Sequence, residues 1–315
     1  EDTAAVVAAV RHSRPDVVGL SATFQSRAHE FGRLADAIAA DGYGGHVTCG
    51  GHFPTFAYRE MMDRYPSIDS VVRHEGEITL VELCAALSSG DTLNRFASID
   101  GLVFRGHDGA VIANKPRQLI ADLDSLPHPK RVDLPPLHMD VPAAFVVGTR
   151  GCYGSCTFCC INAYINESKS ARYRMRSPGD IADELASLRK ERGARMIVFH
   201  DDDFFTRDHD FDLLRARSLR DELRERGVDD IALVVKACPD DLDADVFAVL
   251  QEIGLLRVYV GIETGSAQGL KTLGRGVDIG MNHSALEFLR ERDVYACYNM
   301  LMFDPDTTLE SLRSS

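Results

Sequence analysis

Apolar positions along the chain recur with two different periods. Short apolar runs at residues 16–21, 46–49 and 69–73 alternate with longer stretches whose apolar residues fall three and four apart. The runs predict buried strands. The longer stretches predict helices over 28–40, 54–64 and 77–88, after an Ala/Val-rich helix over 1–13. Pro54 is tolerated in a first turn because its missing N–H would have no helical partner there, and Gly90 is placed to close the third helix. Strands separated by helices need crossovers, which predicts a parallel sheet. The chain opens on a helix, so a strand ahead of Glu1 is expected. Residues 101–105 and 110–113 flank the turn Gly106-His107-Asp108-Gly109 and read as a small hairpin.

Residues 116–142 carry six of the twelve prolines. They predict a linker between a domain at 1–115 and another at 143–315. A second strand–helix series then begins. Residues 143–149 form strand one, ending at Arg150-Gly151. Ser177 as N-cap, with Pro178 in the first helical position, opens a helix that stops at Gly193. Strand two (195–200) ends in Asp201-Asp202-Asp203, and a helix lies near 208–226. Strand three (231–236) is followed by a helix capped by Asp243, with Val246, Leu250 and Ile253 on one face and Gly254 at its end. Strand four (256–262) leads into Glu263-Thr264-Gly265-Ser266. A helix over 282–292 and strand five (294–303) complete the series. The chain stops inside a further helix at Ser315, so a following segment is expected. Five such units in succession imply a barrel or part-barrel, whose chemistry sits at the C-terminal ends of the strands.

Composition narrows the class. The chain has 315 residues, 45% of them hydrophobic and 26% charged, with a mean hydropathy of −0.13. These values exclude a disordered chain, a coiled coil or a collagen, and the length suggests two domains. The net charge of −13 argues against nucleic acid as a partner. No apolar run approaches the ~20 residues of a membrane helix. The first residues show neither a basic n-region nor a signal h-region, and the location expected is cytoplasmic.

The cysteines change the picture most. Eight are present, and four of them (Cys152, Cys156, Cys159, Cys160) fall within nine residues. A disulfide framework would spread them, so the cluster points to a metal. A structural zinc needs four ligands, usually as two separated pairs, and no second pair completes such a site. Three thiolates from one loop suit a 4Fe–4S cube with one iron left open. Cys160, adjacent to Cys159, is expected to be a packed thiol, and Cys49, Cys84, Cys238 and Cys297 to be core thiols.

The run Cys152-x3-Cys156-x2-Cys159, with the aromatic Phe158 before the third cysteine, resembles the radical S-adenosylmethionine superfamily. So do Thr149-Arg150-Gly151, the acidic strand end Asp201-Asp202-Asp203-Phe204, the segment VGIETGS at 260–266 and the turn FDPDTTLE at 303–310. The resemblance implies that Cys152, Cys156 and Cys159 hold a 4Fe–4S cluster. Its open iron would chelate S-adenosylmethionine, whose reductive cleavage gives a 5′-deoxyadenosyl radical. By position, Asp202 and Asp203 are implied to meet the methionine amino group, Glu263 and Ser266 the ribose or carboxylate, Lys236 the carboxylate, and Phe158 to flank the cofactor. A helix N-cap run is the plain alternative for the three aspartates. Relatives often read Gly-x-Pro at the strand-five turn where this chain has Phe303-Asp304-Pro305. Tyr295, Tyr298 and Asn299 on strand five are candidates to face the substrate.

Residues 16–90 resemble the flavodoxin-like cobalamin-binding domain found ahead of many radical enzymes. The matching pieces are Leu20-Ser21-Ala22-Thr23, Cys49-Gly50-Gly51-His52-Phe53-Pro54 and Arg73-His74-Glu75-Gly76-Glu77. Glycines admit a bulky ligand to the backbone, and hydroxyls can bond a nucleotide tail. The residues implied for cobalamin are Ser21, Thr23, Gly50, Gly51, Gly76 and Glu77, with His52 and His74 as loop residues nearby. The Asp-x-His-x-x-Gly motif that can ligate cobalt is absent, and its place would be before Glu1. The fold expected is therefore α/β, a flavodoxin-like parallel sheet followed by a partial (β/α)6 radical barrel. The function implied is cobalamin-dependent methyl transfer to carbon on a small molecule such as a natural product of antibiotic type. Electrons would come from a flavodoxin or ferredoxin. The competing readings are a radical dehydratase or deoxygenase, cyclase or epimerase without methyl transfer and with no requirement for cobalamin, and a non-enzymatic corrinoid- or metal-binding module.

Overall fold

A computed structural model of the chain describes residues 2–89, 92–131, 137–138 and 140–315. They form two compact units, Glu1–Ile120 with Ala163–Ser170, and Ala121–Asn162 with Ala171–Ser315.

The first unit runs α1 (Thr3–Ser13), β1 (Val17–Ser21), α2 (Ala28–Ala40), β2 (His46–Gly50), α3 (His52–Arg64), β3 (Ser70–Val72), α4 (Gly76–Leu87), α5 (Thr92–Phe96), β4 (Leu102–Arg105) and β5 (Val111–Ala113). Its sheet has the order β1-β2-β3-β4-β5. The first three strands are parallel, as the crossover helices require. The expected hairpin forms, β5 antiparallel to β4, and it joins the sheet because β4 also pairs antiparallel with β3. The reason lies in the run Leu102-Val103-Phe104, which is buried on both faces. Val103 packs with Met61, Met62 and Val71, and Leu102 and Phe104 pack with Leu83, Phe96 and Ile99. The glycine expected to end α4, Gly90, lies outside the described residues.

The second unit contains β6 (Leu137–His138), β7 (Val141–Val146), β8 (Thr149–Gly151), α6 (Cys160–Ser168, its end counted with the first unit), β9 (Tyr173–Met175), α7 (Pro178–Arg192), β10 (Met196–Phe199), α8 (His209–Glu225), β11 (Ala232–Ala237), α9 (Ala244–Glu252), β12 (Leu255–Val260), α10 (Ala267–Thr272), α11 (Ile279–Glu291), β13 (Tyr295–Cys297) and α12 (Leu309–Ser314). Its main sheet has the order β13-β12-β11-β10-β7-β6. Five strands are parallel, and β6 adds antiparallel to β7. One sheet face buries Ile197, Phe199, Leu233, Val235 and Val258 under Leu185, Leu219, Phe247 and Leu289 of the helices. The alternation of β-strands then turns Phe145, Lys236 and Tyr259 to the other face, where they stay partly exposed.

Several expectations need correction. Strand one is broken at Gly148, whose N–H donates to the buried Asp201 Oδ1 at 2.7 Å, and the chain resumes as the separate β8. Strand five pairs only over Tyr295–Cys297, and beyond it Met300 makes a single parallel bridge to Glu263. Among the described residues the barrel has five parallel strands, not six. The described parts of the proline-rich stretch are hydrogen-bonded to the unit on either side. Arg117 Nε donates to Thr79 Oγ1 at 2.8 Å in the first unit, whereas His128 and Arg131 reach Asp180 and Glu184 of α7 at 2.9 and 2.8 Å in the second. Among the described residues, no helix is long and apolar enough to cross a membrane.

Candidate cluster and cofactor site

The cysteine loop is held by short-range backbone geometry. β8 leads into it and pairs antiparallel with β9, Gly151 opposite Tyr173. Gly151 has φ +97°, and a Cβ there would lie 2.0 Å from the Arg172 carbonyl oxygen. Only glycine serves both demands. Its N–H donates to Asp202 Oδ2 at 2.9 Å. Arg172 ties the loop from the other side, donating to the carbonyls of Cys152 at 3.1 Å and Gly154 at 2.6 Å. Thr157 anchors the far end on the α10 turn, its N–H to Leu273 O at 3.0 Å and its Oγ1 to Thr272 O at 2.9 Å.

The result is convergence of all three thiols. Cys152, Cys156 and Cys159 line one cavity of about 300 Å³. Asp202, Asp203, Lys236, Glu263, Tyr298 and Asn299 line it too, as does the half-exposed Phe158. Lys236, Tyr259 and Cys297 stand in one row across β11, β12 and β13. Nine-residue proximity in the sequence thus becomes a site assembled from four strand ends.

The electrostatics centre on a residue that strand and motif reading missed. Arg275 Nη1 lies 3.1 Å from Cys156 Sγ, and Nη2 donates to Gly261 O at 2.5 Å and lies 3.9 Å from Cys238 Sγ. Burial works against the charged guanidinium, but Cys238, Cys156 and Glu263 more than offset it and raise its pKa. Burial raises the Glu263 carboxyl, with Arg275 opposing. Asp203 is 1% exposed, and burial with Asp241 and Cys238 close by pushes its carboxyl well above the usual range. Cys159 is raised by burial. Cys238 is raised by its contact with Cys152 and then by burial.

Other candidates fall elsewhere. Ser266 does not line the cavity. It caps α10, its Oγ accepting from Gly269 N at 3.2 Å. Tyr295 is 66% exposed and is also absent from the lining. The three aspartates are not an N-cap run, since Asp208 caps α8 through Phe211 N. Cys160 is exposed at the start of α6. Of the expected core thiols, only Cys49 is buried, its pKa pushed up to about 12 by burial. Cys84 is exposed, and Cys238 and Cys297 line the cavity. The sequence had already singled out the carboxylates Asp202, Asp203 and Glu263, but Arg275 was invisible because it lies 119 positions from the Cys156 that it meets.

In the first unit, Ser21, Gly50 and Val72 end three adjacent parallel strands in one row. Thr55 stitches the loops beyond them, donating to Gly51 O at 2.8 Å and accepting from His74 N at 2.9 Å. Gly51 has φ +113° and sits so close to the β1 loop that a Cβ would be 2.9 Å from Ala22 O. Ser21 and Thr23 are exposed, Gly76 opens α4, and the exposed Glu77 follows it. His52 and His74 both pack on Tyr164, and the His74 side chain is buried.

Residues 146–314 match the family model of the Radical SAM superfamily. The chain belongs to that superfamily. Residues 1–84 match the B12 binding domain. An uncharacterized methyltransferase of Pyrococcus horikoshii is 30% identical over 307 residues, covering 96% of this chain and 63% of that protein. The anaerobic magnesium-protoporphyrin IX monomethyl ester cyclase of Synechocystis sp. is 27% identical over 256 residues, or 79% of this chain and 48% of the cyclase. The chain therefore spans roughly half to two thirds of the length of these relatives. Among solved structures, the radical S-adenosylmethionine methyltransferase TsrM of Kitasatospora setae, with tryptophan substrate and a cofactor analog bound, superposes with a TM-score of 0.77. It is 19% identical, and the match covers 100% of this chain and 62% of TsrM. That likeness establishes the fold.

The cofactors that these two domains carry are a 4Fe–4S cluster with S-adenosylmethionine, and cobalamin. The cysteine loop of this Radical SAM chain fits the cluster. Its thiols are free, and soft thiolates are the donors iron–sulfur clusters take. A Cβ on Gly154 would sit 3.3 Å from Cys152 Sγ and 3.6 Å from Cys156 Sγ, so glycine leaves the space between them open. The glycine-bearing edge of the first unit likewise fits a bulky ligand approached by backbone.

Proposed function

We propose that the chain is the cofactor-binding portion of a cobalamin-dependent radical S-adenosylmethionine C-methyltransferase acting on a small molecule, of the kind built in natural-product and antibiotic biosynthesis. The observation that carries this is the pairing of a three-thiol cavity with a separate domain matching the B12 binding model over residues 1–84. When bound, the cluster supplies one electron to cleave S-adenosylmethionine, and cobalamin supplies the methyl group.

The residues divide this work. Cys152, Cys156 and Cys159 hold the cluster. Lys236, whose side-chain ammonium has no hydrogen-bond or ion-pair partner among the described residues, takes the methionine carboxylate, and Asp202 and Asp203 the amino group. Glu263 accepts from ribose hydroxyls, an arrangement suited to a carboxylate with several lone pairs. Phe158, Tyr259 and Tyr298 wall the cavity and keep water from the reacting atoms. Ser21, Thr23, Gly50, Gly51, Gly76 and Glu77 contact cobalamin at the sheet edge. The domain limits proposed remain 1–115 and 143–315. The free thiols fit a reducing, cytoplasmic setting in which a flavodoxin or ferredoxin is the electron donor.

The cyclase relative favours a second reading, radical chemistry without methyl transfer. One experiment separates them. The anaerobically reconstituted protein is incubated with cobalamin, reductant and S-adenosylmethionine carrying a labelled methyl. Methyl transfer predicts stoichiometric cobalamin and label on it. 5′-Deoxyadenosine release with no bound cobalamin moves the assignment to the second reading. A colourless protein with no iron sinks both.

A further inference from the structure

Arg275 stands outside the motifs quoted for the superfamily, yet its guanidinium reaches the sulfur of Cys156, whereas Arg172 bonds only backbone carbonyls and the Asn162 side chain. Its position is built into the fold. Ser266 caps α10, the helix ends at Thr272, and Gly274 takes φ +60° so that the Arg275 N–H returns to Leu270 O at 3.1 Å. That turn also receives Thr157 of the cysteine loop. The guanidinium therefore reaches Cys156 Sγ from a rigid base, while its other arm is fixed on Gly261 O at the end of β12. The planar fork lets one side chain make both bonds at once, which an ammonium cannot copy.

We propose that Arg275 is a positioning residue for the cluster. Its charge and hydrogen bond on Cys156 Sγ stabilise the thiolate and make the cluster easier to reduce. The physical basis is general. A reduced cluster carries one more negative charge than an oxidised one, so a fixed cation and a donor at a ligand sulfur favour the reduced form. The inference depends on the cluster alone and is independent of methyl transfer.

The test is an anaerobic redox titration of the reconstituted full chain. In it each cluster takes one electron from dithionite, which is oxidised, and the reduced form is read by electron paramagnetic resonance. Arg275→Gln is expected to keep about four irons per chain, while the ratio of reduced to oxidised cluster at a fixed potential falls about tenfold. For one electron this is a downward shift of about 59 mV. Arg275→Lys, which keeps charge but loses the fork, should fall between. Loss of iron in Arg275→Gln but not in Arg275→Lys would also support a role for the charge. A ratio within twofold of wild type in fully loaded Arg275→Gln overturns the proposal. So does loss of iron in both variants, which would mark Arg275 as a packing residue. Wild-type protein that takes up iron but fails the labelled-methyl assay leaves this test intact.

Discussion

Gly151 is the residue on which the cysteine loop turns, and Gly151→Ala is the sharpest perturbation of it. Two costs combine. At φ +97° an L-residue is strained by about 1–3 kcal/mol. The new methyl would also lie 2.0 Å from Arg172 O, so β8 and β9 must part by about 1 Å before a tight 3.0 Å contact is reached. Separation breaks the short pairing of Thr149–Gly151 with Tyr173–Met175 and loosens the bond from Gly151 N to Asp202. A total near 3–4 kcal/mol follows, or a fall in Tm of roughly 6–16 °C for a domain of this size. Cys152 is the next residue, so its sulfur is carried away from those of Cys156 and Cys159. Iron and sulfide should fall below half of the wild-type content after anaerobic reconstitution. Gly193→Ala is the control. Gly193 also has positive φ, +65°, but a Cβ there meets nothing within 4 Å, so about 1 kcal/mol and full iron are expected. Full iron and an unchanged Tm in Gly151→Ala would refute the reasoning.

Cys159→Ser should abolish the iron chromophore while Cys160→Ser retains it, read by absorbance and iron assay. The reverse would move the third ligand onto α6. Asp201 is fully buried, and burial raises its carboxyl pKa to about 6 from 3.8. The folded state thus holds the proton more tightly, so this stabilisation is present below about pH 4 and is lost as pH rises through 6, by about 3 kcal/mol. Asp201→Asn should gain on wild type across that window in denaturant titrations, and a pH-independent difference would contradict the assignment. Ser177 Oγ accepts from Asp180 N at 3.2 Å. Ser177→Ala should therefore cost about 1 kcal/mol by thermal denaturation and leave iron content unchanged.

What the sequence disclosed, and what it hid, follows from the range of the interactions. α2 lies where its periodicity puts it, and α7 where its caps do, because Ser177, Pro178 and Gly193 act within one turn of chain. The three thiols were legible since they share a loop. β8 and β9 were not, because three-residue strands of mixed polarity carry no period. They exist only where Gly151 lets two backbones meet. α5 and α10, of five and six residues, are too short to show a face. The hairpin of β4 and β5 was legible from its turn, but the apolar run of β4 does not say that β3 will pair with its other edge or that both faces will be covered. Val294 to Phe303 reads as one apolar stretch, yet Tyr295 and Phe303 are largely exposed and pairing ends at Cys297. Arg275 carried no local signal, since its meaning arises only when the end of β12 and the α10 turn bring it to Cys156.

Helix α6 begins one residue after Cys159 in the second unit, but Ala163–Ser170 counts with the first. There Tyr164 meets the rings of His52 and His74, and Glu167 takes the Arg73 guanidinium. The polypeptide thus leaves one module for eight residues and comes back. No single scission frees either module whole. A gene cut at position 120 would strand Tyr164 and Glu167 without their neighbours, on the very helix that closes the thiol loop. Recombination can therefore exchange these modules only as a pair, or by grafting the helix end along with its donor.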